Sequence, residues 1–273
     1  MTKKFAVFGN PIEHSKSPPI HQRFASQFNL DIDYQKLLST PEDFAKDIEL
    51  FFASGGLGCN VTVPFKEKAF ALCDALTSTA KTAGAVNTLY RDESNTLWGH
   101  NSDGAGLVND LCKNHNVAIE NSKILIVGAG GATRGILEPL ISKAPASITV
   151  ANRTIAKADR LAGEFSSMFP VTSTGNDLSG FTGTADLVIN ATSASLSSEV
   201  PVSNTDVIAS HTICYDLAYA VEPTAFLKWS TTHGAAQSID GKGMLVEQAA
   251  VSFFTWNKLQ PDTAPVIDWI ASL

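Results

Sequence analysis

No two of the four cysteines form a Cys-x-x-Cys pair. Cys59, Cys73, Cys112 and Cys214 therefore read as free thiols of a reducing, cytoplasmic compartment, and a metal site is not expected. Long apolar runs are also missing. No stretch approaches the roughly 20 apolar residues that a membrane-spanning helix needs. The run Phe5 to Phe8 behind Lys3-Lys4 is soon followed by Glu13, His14 and Lys16, which excludes a secretory signal. Basic residues are scarce too: 20 Lys+Arg against 27 Asp+Glu leave a net charge of −7. Neither nucleic acid nor an acidic membrane surface is an expected partner. The scarcity is sharpest between Leu161 and Leu227, where there is no Lys or Arg at all. The acids Glu164, Asp177, Asp186, Glu199, Asp206, Asp216 and Glu222 of that stretch account for the whole imbalance. An anionic ligand must then be held by a local arrangement of donors. What the chain does have is an ordinary globular composition, 44% hydrophobic and 17% charged over 273 residues. That length suits one large or two modest domains.

Short apolar runs alternate with helical patterns from end to end, which predicts an α/β fold. Phe5 to Phe8 reads as a buried strand closed by Gly9-Asn10-Pro11, and Ser17-Pro18-Pro19 opens a helix to about Phe28. Thr40-Pro41-Glu42-Asp43 predicts a helix start, with Thr40 as N-cap, ending at Gly55-Gly56. Cys59 to Val63 is a predicted strand, with a helix from Pro64. Val86 to Tyr90 and Thr96 to Trp98 read as strands joined by the turn Asp92-Glu93-Ser94-Asn95. A helical pattern follows from Asp103 to about Lys113. Ile124 to Val127 is then fully apolar, as in a parallel strand buried on both faces. Further strands are predicted at Ile148 to Val150, Leu187 to Asn190 and Ile213 to Asp216. These patterns imply two domains. Residues 1–102, completed by helices in 241–273, form one domain with a mixed sheet. Residues 103–240 form a parallel-sheet domain. Such domains would open and close about their junctions. Monomer and homodimer are both compatible with the sequence.

The apolar strand at Ile124 to Val127 runs into Gly128-Ala129-Gly130-Gly131-Ala132 and then a helix. A glycine turn at that place exposes backbone N–H groups at the positive helix end, where a pyrophosphate fits, as in Rossmann-like dinucleotide domains. The third glycine of G-x-G-x-x-G would fall at Thr133, and a tight turn with no ligand would show the same residues. The next strand ends in Ala151-Asn152-Arg153-Thr154. An NAD-binding unit would have an acid there for the ribose hydroxyls. A guanidinium beside Asn152 and Thr154 instead suits a 2′-phosphate, so NADP is the expected cofactor. Arg153 as a solvated charge at the sheet edge is the competing reading.

Four polar clusters mark the first domain: Ser15-Lys16-Ser17, Asn60 and Thr62 with Lys66, Asn87, and Asn101-Ser102-Asp103-Gly104. Singly, each has an ordinary explanation as a cap, a turn or a surface charge. Together they offer neutral donors and acceptors plus one Lys and one Asp, which suits a polyhydroxylated small molecule. Reducing a carbonyl creates an alkoxide that must be protonated, and Lys66 beside Asp103 can supply that proton. An ordinary lysine, with a pKa of about 10.4, serves as the acid in that direction.

The chain resembles the shikimate dehydrogenase family over almost its whole length. The resemblance is carried by Phe8-Gly9-Asn10-Pro11, Ser15-Lys16-Ser17-Pro18, Asn60-Val61-Thr62-Val63-Pro64-Phe65-Lys66, Gly84-Ala85-Val86-Asn87-Thr88 and Asn101-Ser102-Asp103-Gly104. It continues in the glycine loop, Asn152-Arg153-Thr154, Asn190-Ala191-Thr192-Ser193 and Asp240-Gly241-Lys242-Gly243-Met244-Leu245 with Gln248. It implies NADPH-dependent, reversible reduction of 3-dehydroshikimate to shikimate, on the path to chorismate and the aromatic amino acids. By that resemblance Lys66 and Asp103 are the catalytic pair, and Ser15 and Ser17 bind the substrate carboxylate. Asn60, Thr62, Asn87 and Gln248 hold the substrate, over which Tyr219 closes. Gly128 to Ala132 and Asn152 to Thr154 cradle NADP, with Leu217 and Gly241 on the nicotinamide side.

Three positions depart from the family pattern. Ser102 stands where threonine is usual, Ala194-Ser195-Leu196 replace a glycine after Ser193, and Thr224-Ala225 replaces Thr-Pro. A quinate/shikimate paralogue with broader substrate or NAD use is the alternative enzyme. A non-catalytic metabolite sensor is the alternative from another class. It would be free to lose Lys66 or Asp103, and both are present.

Overall fold

The computed structural model describes residues 2–192, 194, 199–202 and 204–273, and these form two compact units. The first comprises residues 1–107 and 245–272, the second residues 108–244 with residue 273. The breaks lie a few residues beyond the expected boundaries because each falls inside a helix. In chain order the first stretch runs β1 (Lys3–Gly9), α1 (Ser17–Gln27), β2 (Ile32–Leu38), α2 (Phe44–Ala53), β3 (Gly56–Val61) and α3 (Lys66–Leu72). It continues through β4 (Ala75–Leu76), α4 (Ser78–Ala83), β5 (Thr88–Arg91), β6 (Leu97–His100) and α5 (Asp103–Asn109). Then come β7 (Lys123–Val127), α6 (Gly131–Ile141), β8 (Ser147–Ala151), α7 (Ile155–Phe165), β9 (Val171–Thr174) and β10 (Leu187–Asn190). β11 (Ile213–Asp216), α8 (Ala225–Thr232), β12 (Gln237–Ile239), α9 (Lys242–Asn257) and α10 (Ala264–Ala271) complete the chain.

The first unit holds a six-stranded mixed sheet in the order β2-β1-β3-β5-β6-β4. Side chains alternate across a strand, and β1 shows the consequence. Phe5 and Val7 pack with Phe24, Val246 and Phe253, which come from α1 and α9. Ala6 and Phe8 pack with Phe44, Ile48 and Phe65 around α2 and the start of α3. Both faces of the sheet are therefore core. Gly9 closes β1 because Thr62 Cγ2 would lie 2.6 Å from any added Cβ.

Two helix starts differ from the sequence expectation. Thr40 accepts a hydrogen bond from the Asp43 N–H at 3.2 Å, yet it caps only a turn, and α2 begins at Phe44. The helix expected from Pro64 begins at Lys66, after a cis Val63-Pro64 peptide. The helical pattern from Asp103 continues as expected to Lys113, but as α5 followed by one π-helical turn at Asp110–Asn114.

The second unit is a six-stranded, fully parallel sheet in the order β12-β11-β10-β7-β8-β9. Ile124, Leu125, Ile126 and Val127 of β7 are each 0% exposed. This is the doubly covered strand that an unbroken apolar run predicts. Leu125 and Val127 pack with Val188, Cys214, Phe226 and Leu227. The order reverses at β7, with β8 and β9 on one side and β10, β11 and β12 on the other. In open α/β sheets ligands gather at such a switch point, beyond the carboxyl ends of the strands. Among the described residues, no helix is long and apolar enough to cross a membrane.

Candidate active site

Antiparallel pairing in the first sheet lines up Asn60 with Thr88 and Thr88 with His100. The end of β3, the start of β5 and the end of β6 therefore share one row. Asn87 precedes β5, Asn101 and Ser102 follow β6, and Asp103 opens α5. One register thus gathers the polar clusters that the sequence holds apart.

Lys66, the first residue of α3, donates from Nζ to Asp103 Oδ2 at 2.6 Å. Asn87 Nδ2 donates to the other carboxylate oxygen, Oδ1, at 2.7 Å. The Asp103 N–H is held by Asn101 Oδ1 at 3.0 Å. Lys66 and Asp103 side chains keep 31% and 18% of their surface open, so the pair is braced from within and still accessible. Ser102 Oγ lies 3.3 Å from Gln248 Oε1 of α9, which brings Gln248 to the same cluster. His100 Nδ1 lies 3.1 Å from Thr77 Oγ1. Burial holds His100 below the usual histidine range, with the Asp103 charge pulling the other way.

Ser15 and Ser17 share a loop turn in which Ser15 Oγ accepts the Ser17 N–H at 3.3 Å. Thr62 is half-buried at the end of β3. Asn60 is placed differently from the expectation of a substrate ligand. It is 7% exposed, and its carboxamide is engaged on Tyr34, Thr88, Ser252 and the Asn87 carbonyl. Its role is internal.

In the second unit β7 feeds the glycine turn. Gly128 has φ +111°, a backbone region that side-chain-bearing residues avoid. Thr133, where a third glycine would stand, is fully buried and donates its hydroxyl to the Gly128 carbonyl at 2.7 Å. The departure from the glycine pattern thus closes the turn from inside. A carbon added at Gly130 or Gly131 would meet nothing within 4 Å, so the backbone at the start of α6 is open. Asn152 Oδ1 accepts the Ala129 N–H at 3.2 Å and ties the ends of β7 and β8 together. Beside them lies a cavity of about 450 Å³ lined by Asn152, Arg153, Thr154 and Thr192, among others. Lys157 lines it too, a cation that the sequence reading passed over. Its signal was spacing: four residues beyond Arg153, in the first turn of α7. Open backbone N–H groups next to a pocket whose two cations outnumber its one carboxylate, Glu199, fit a pyrophosphate and an added ribose phosphate. Gly128 to Ala132, Asn152 to Thr154 and Lys157 present donors of the kind such a group requires.

Leu217 and Gly241 come together at the ends of β11 and β12: a Cβ at Gly241 would collide with the Leu217 carbonyl. Tyr219 is half-buried in the same unit, and burial raises its phenol above the usual range.

These geometries meet their counterparts in known proteins. Residues 7–89 match the family model described as the shikimate dehydrogenase substrate binding domain, and residues 110–218 match that of shikimate / quinate 5-dehydrogenase. The chain belongs to the shikimate dehydrogenase family. The shikimate dehydrogenase (NADP(+)) of Alkalilimnicola ehrlichii is 48% identical over 267 residues, 98% of either chain. A crystal structure of an Ael1 enzyme from Pseudomonas putida superposes with a TM-score of 0.92 at 38% identity, over 98% of both chains. Shikimate 5-dehydrogenase from Thermus thermophilus, solved in complex with NADP(H) and shikimate, gives 0.87 at 29% identity, again over 98% of both.

Against the shikimate dehydrogenase pattern, the Thr224-Ala225 departure is accommodated. Thr224 accepts the Leu227 N–H as N-cap of α8 and donates to Asp216 Oδ2 at 2.7 Å. Asp216 Oδ1 in turn receives the Ala218 N–H at 3.1 Å. The segment carrying Leu217 and Tyr219 is therefore braced without the proline. Ser193, Ser195 and Leu196 of the other departure lie outside the described residues.

Proposed function

We propose that this chain catalyses the reversible, NADP-dependent interconversion of 3-dehydroshikimate and shikimate, with Lys66 and Asp103 as its acid–base pair. The observation that carries the assignment is the 2.6 Å contact between them, with Asn87 on the remaining carboxylate oxygen. NADPH, when bound, supplies the hydride for the carbonyl carbon. The alkoxide oxygen that results needs a proton, and the Lys66 ammonium is the group positioned to give it. Asp103 holds that ammonium and accepts a hydrogen bond from the substrate hydroxyl in the reverse direction. Ser15 and Ser17 supply neutral donors for the substrate carboxylate, while Thr62, Asn87, Gln248 and Tyr219 are assigned to its remaining groups. In the second unit Arg153 and Lys157 recognise the 2′-phosphate, and Leu217 and Gly241 are assigned to the nicotinamide side. A cytoplasmic biosynthetic setting suits the four free thiols.

Steady-state rates with shikimate and quinate, each with NADP and with NAD, test the proposal. Shikimate with NADP is expected to be fastest. A preference for NAD overturns the role of Arg153, and inactivity with shikimate overturns the substrate.

A further inference from the structure

The first unit buries more polar structure than a Lys–Asp pair requires. Tyr34, Asn60, Asn87 and Thr88 are 8%, 7%, 3% and 0% exposed, and they come from β2, β3 and the start of β5. Their hydrogen bonds run in one direction. Tyr34 Oη donates to Asn60 Oδ1 at 2.7 Å. From the other end of that carboxamide, Asn60 Nδ2 reaches Thr88 Oγ1 at 3.2 Å. The Thr88 hydroxyl donates to Asn87 Oδ1 at 2.8 Å, and Asn87 Nδ2 donates to Asp103 Oδ1 at 2.7 Å.

A carboxamide keeps nearly the same shape when turned end for end, so only its partners decide which end faces which neighbour. Here two backbone groups that cannot exchange roles decide both. The Asn87 carbonyl, an acceptor only, faces Asn60 Nδ2 at 3.0 Å. The Ser102 N–H, a donor only, faces Asn87 Oδ1 at 3.0 Å. Asn60 then presents its oxygen to Tyr34, and Asn87 presents its oxygen to the Thr88 hydroxyl. Ser252 Oγ, at 2.8 Å from Thr88 Oγ1, closes the side of this relay against α9. Burial pushes the Tyr34 phenol well above its usual range, so it remains a neutral donor.

We propose that Tyr34, acting through Asn60 and Thr88, is a positioning residue for the Lys66–Asp103 pair. The inference rests on the functional reading above and deepens it. Asp103 is held at two oxygens by two different donors, and the inner donor, Asn87, is aimed by the relay together with Ser102. Without the Thr88 bond the Asn87 carboxamide is held by Ser102 alone at its oxygen and can shift, moving the carboxylate and Lys66 with it. Misplacements of about 1 Å at a reacting group can cost on the order of a hundredfold in rate.

The test compares Tyr34→Phe, Thr88→Val and Thr88→Ser in the full chain, by steady-state shikimate oxidation with saturating NADP. Tyr34→Phe and Thr88→Val are each expected to lower kcat roughly tenfold, the scale of one buried hydrogen bond, with KM for shikimate held within about twofold. Thr88→Ser, which keeps the hydroxyl, is expected to recover most of kcat. The Tyr34→Phe/Thr88→Val double variant should fall no further than the weaker single variant, because one relay is broken either way. Unchanged kcat in either single variant overturns the proposal. So does a Thr88→Ser enzyme as slow as Thr88→Val, or losses that multiply in the double variant. Phe keeps the ring that stacks on His21, and the serine–valine pair at Thr88 decides the matter should Tyr34→Phe fold poorly. Wild type and Lys66→Ala run in the same assay separate the two readings. An inert wild type, or a fully active Lys66→Ala, defeats the functional assignment. An active wild type that needs Lys66 but ignores Tyr34 defeats the relay alone.

Discussion

β3 and β7 are both interior strands, and both lead into residues that the chemistry needs, but they are built on opposite plans. β7 is apolar throughout, and its working parts begin only after it ends, at Gly128. β3 carries Asn60 inside the sheet, between the buried Cys59 and Val61. The cause is strand direction. In the parallel second sheet every strand ends on the same edge, so Gly128, Asn152, Leu217 and Gly241 collect there, and the buried Asn190 and Asp216 sit at the last positions of β10 and β11. In the mixed first sheet β3 and β6 end where β5 begins, so polar residues meet inside the sheet and must satisfy one another. One unit ends its strands in glycine turns and loops; the other pairs buried polar side chains within the sheet.

The largest expected effect tests the side-chain plan. Lys66→Ala should lower turnover by ~10²–10⁴-fold, the scale of general acid–base help, while shikimate still protects the variant against thermal unfolding. Near-normal turnover would leave the first unit with no chemistry to contrast. Next is the loop plan. Arg153→Ser should reduce kcat/KM for NADP by roughly ten- to a hundredfold, as for a lost charge-assisted hydrogen bond, and leave the rate with NAD nearly unchanged. Equal losses with both cofactors would mean that Arg153 does not read the added phosphate.

A smaller effect probes a carboxylate buried in the second unit. Asp110 is 0% exposed, and Tyr215 Oη donates to its Oδ2 at 2.6 Å. Tyr215→Phe should cost about 2 kcal/mol in urea unfolding, because a buried acceptor loses a donor. A variant as stable as wild type would show that Asp110 is satisfied without it.

The last is a matter of pH. His21 lies among Phe24, Tyr34, Phe253 and Trp256 in the first unit, and burial lowers its pKa from 6.5 to about 3. Below pH 6.5 the unfolded chain takes up a proton that the folded chain refuses, so stability falls as pH falls, until about pH 3. The slope from this group approaches ~1.4 kcal/mol per pH unit, and His100 adds to it in the same sense. His21→Phe should flatten the dependence of the urea midpoint between pH 6.5 and 5; an unchanged slope would reassign it to other groups.

Much of this was legible in the chain. The apolar run of β7, the glycine turn after it and the absence of an acid near Arg153 are local features, and they pointed to a parallel cofactor sheet. The strands at β2, β9 and β12 carry weaker signals. Lys36, Ser173 and Gln237 interrupt them, because β2, β9 and β12 are edge strands with only part of their surface to bury. Asn60 was singled out by its place in a motif, but its partners Tyr34, Thr88 and Ser252 lie 26, 28 and 192 residues away. Lys157 was passed over, and Thr133 was read only as a departure from the glycine pattern, for a related reason: each matters through what it faces, which spacing alone does not state.

By itself, the order of amino acids determined the fold class and the glycine turn, and it singled out Arg153, Lys66 and Asp103 as candidates. The first two follow from periodicity and a short motif, and the roles expected of Lys66 and Asp103 drew on family resemblance as well. Only the tertiary structure decided that Asn60 faces inward, that Thr133 closes the glycine turn, and that Tyr34 and Asp103 stand at the two ends of one hydrogen-bonded relay. Such facts depend on strand register and on which end of a carboxamide meets a backbone donor, and neither is written in local sequence.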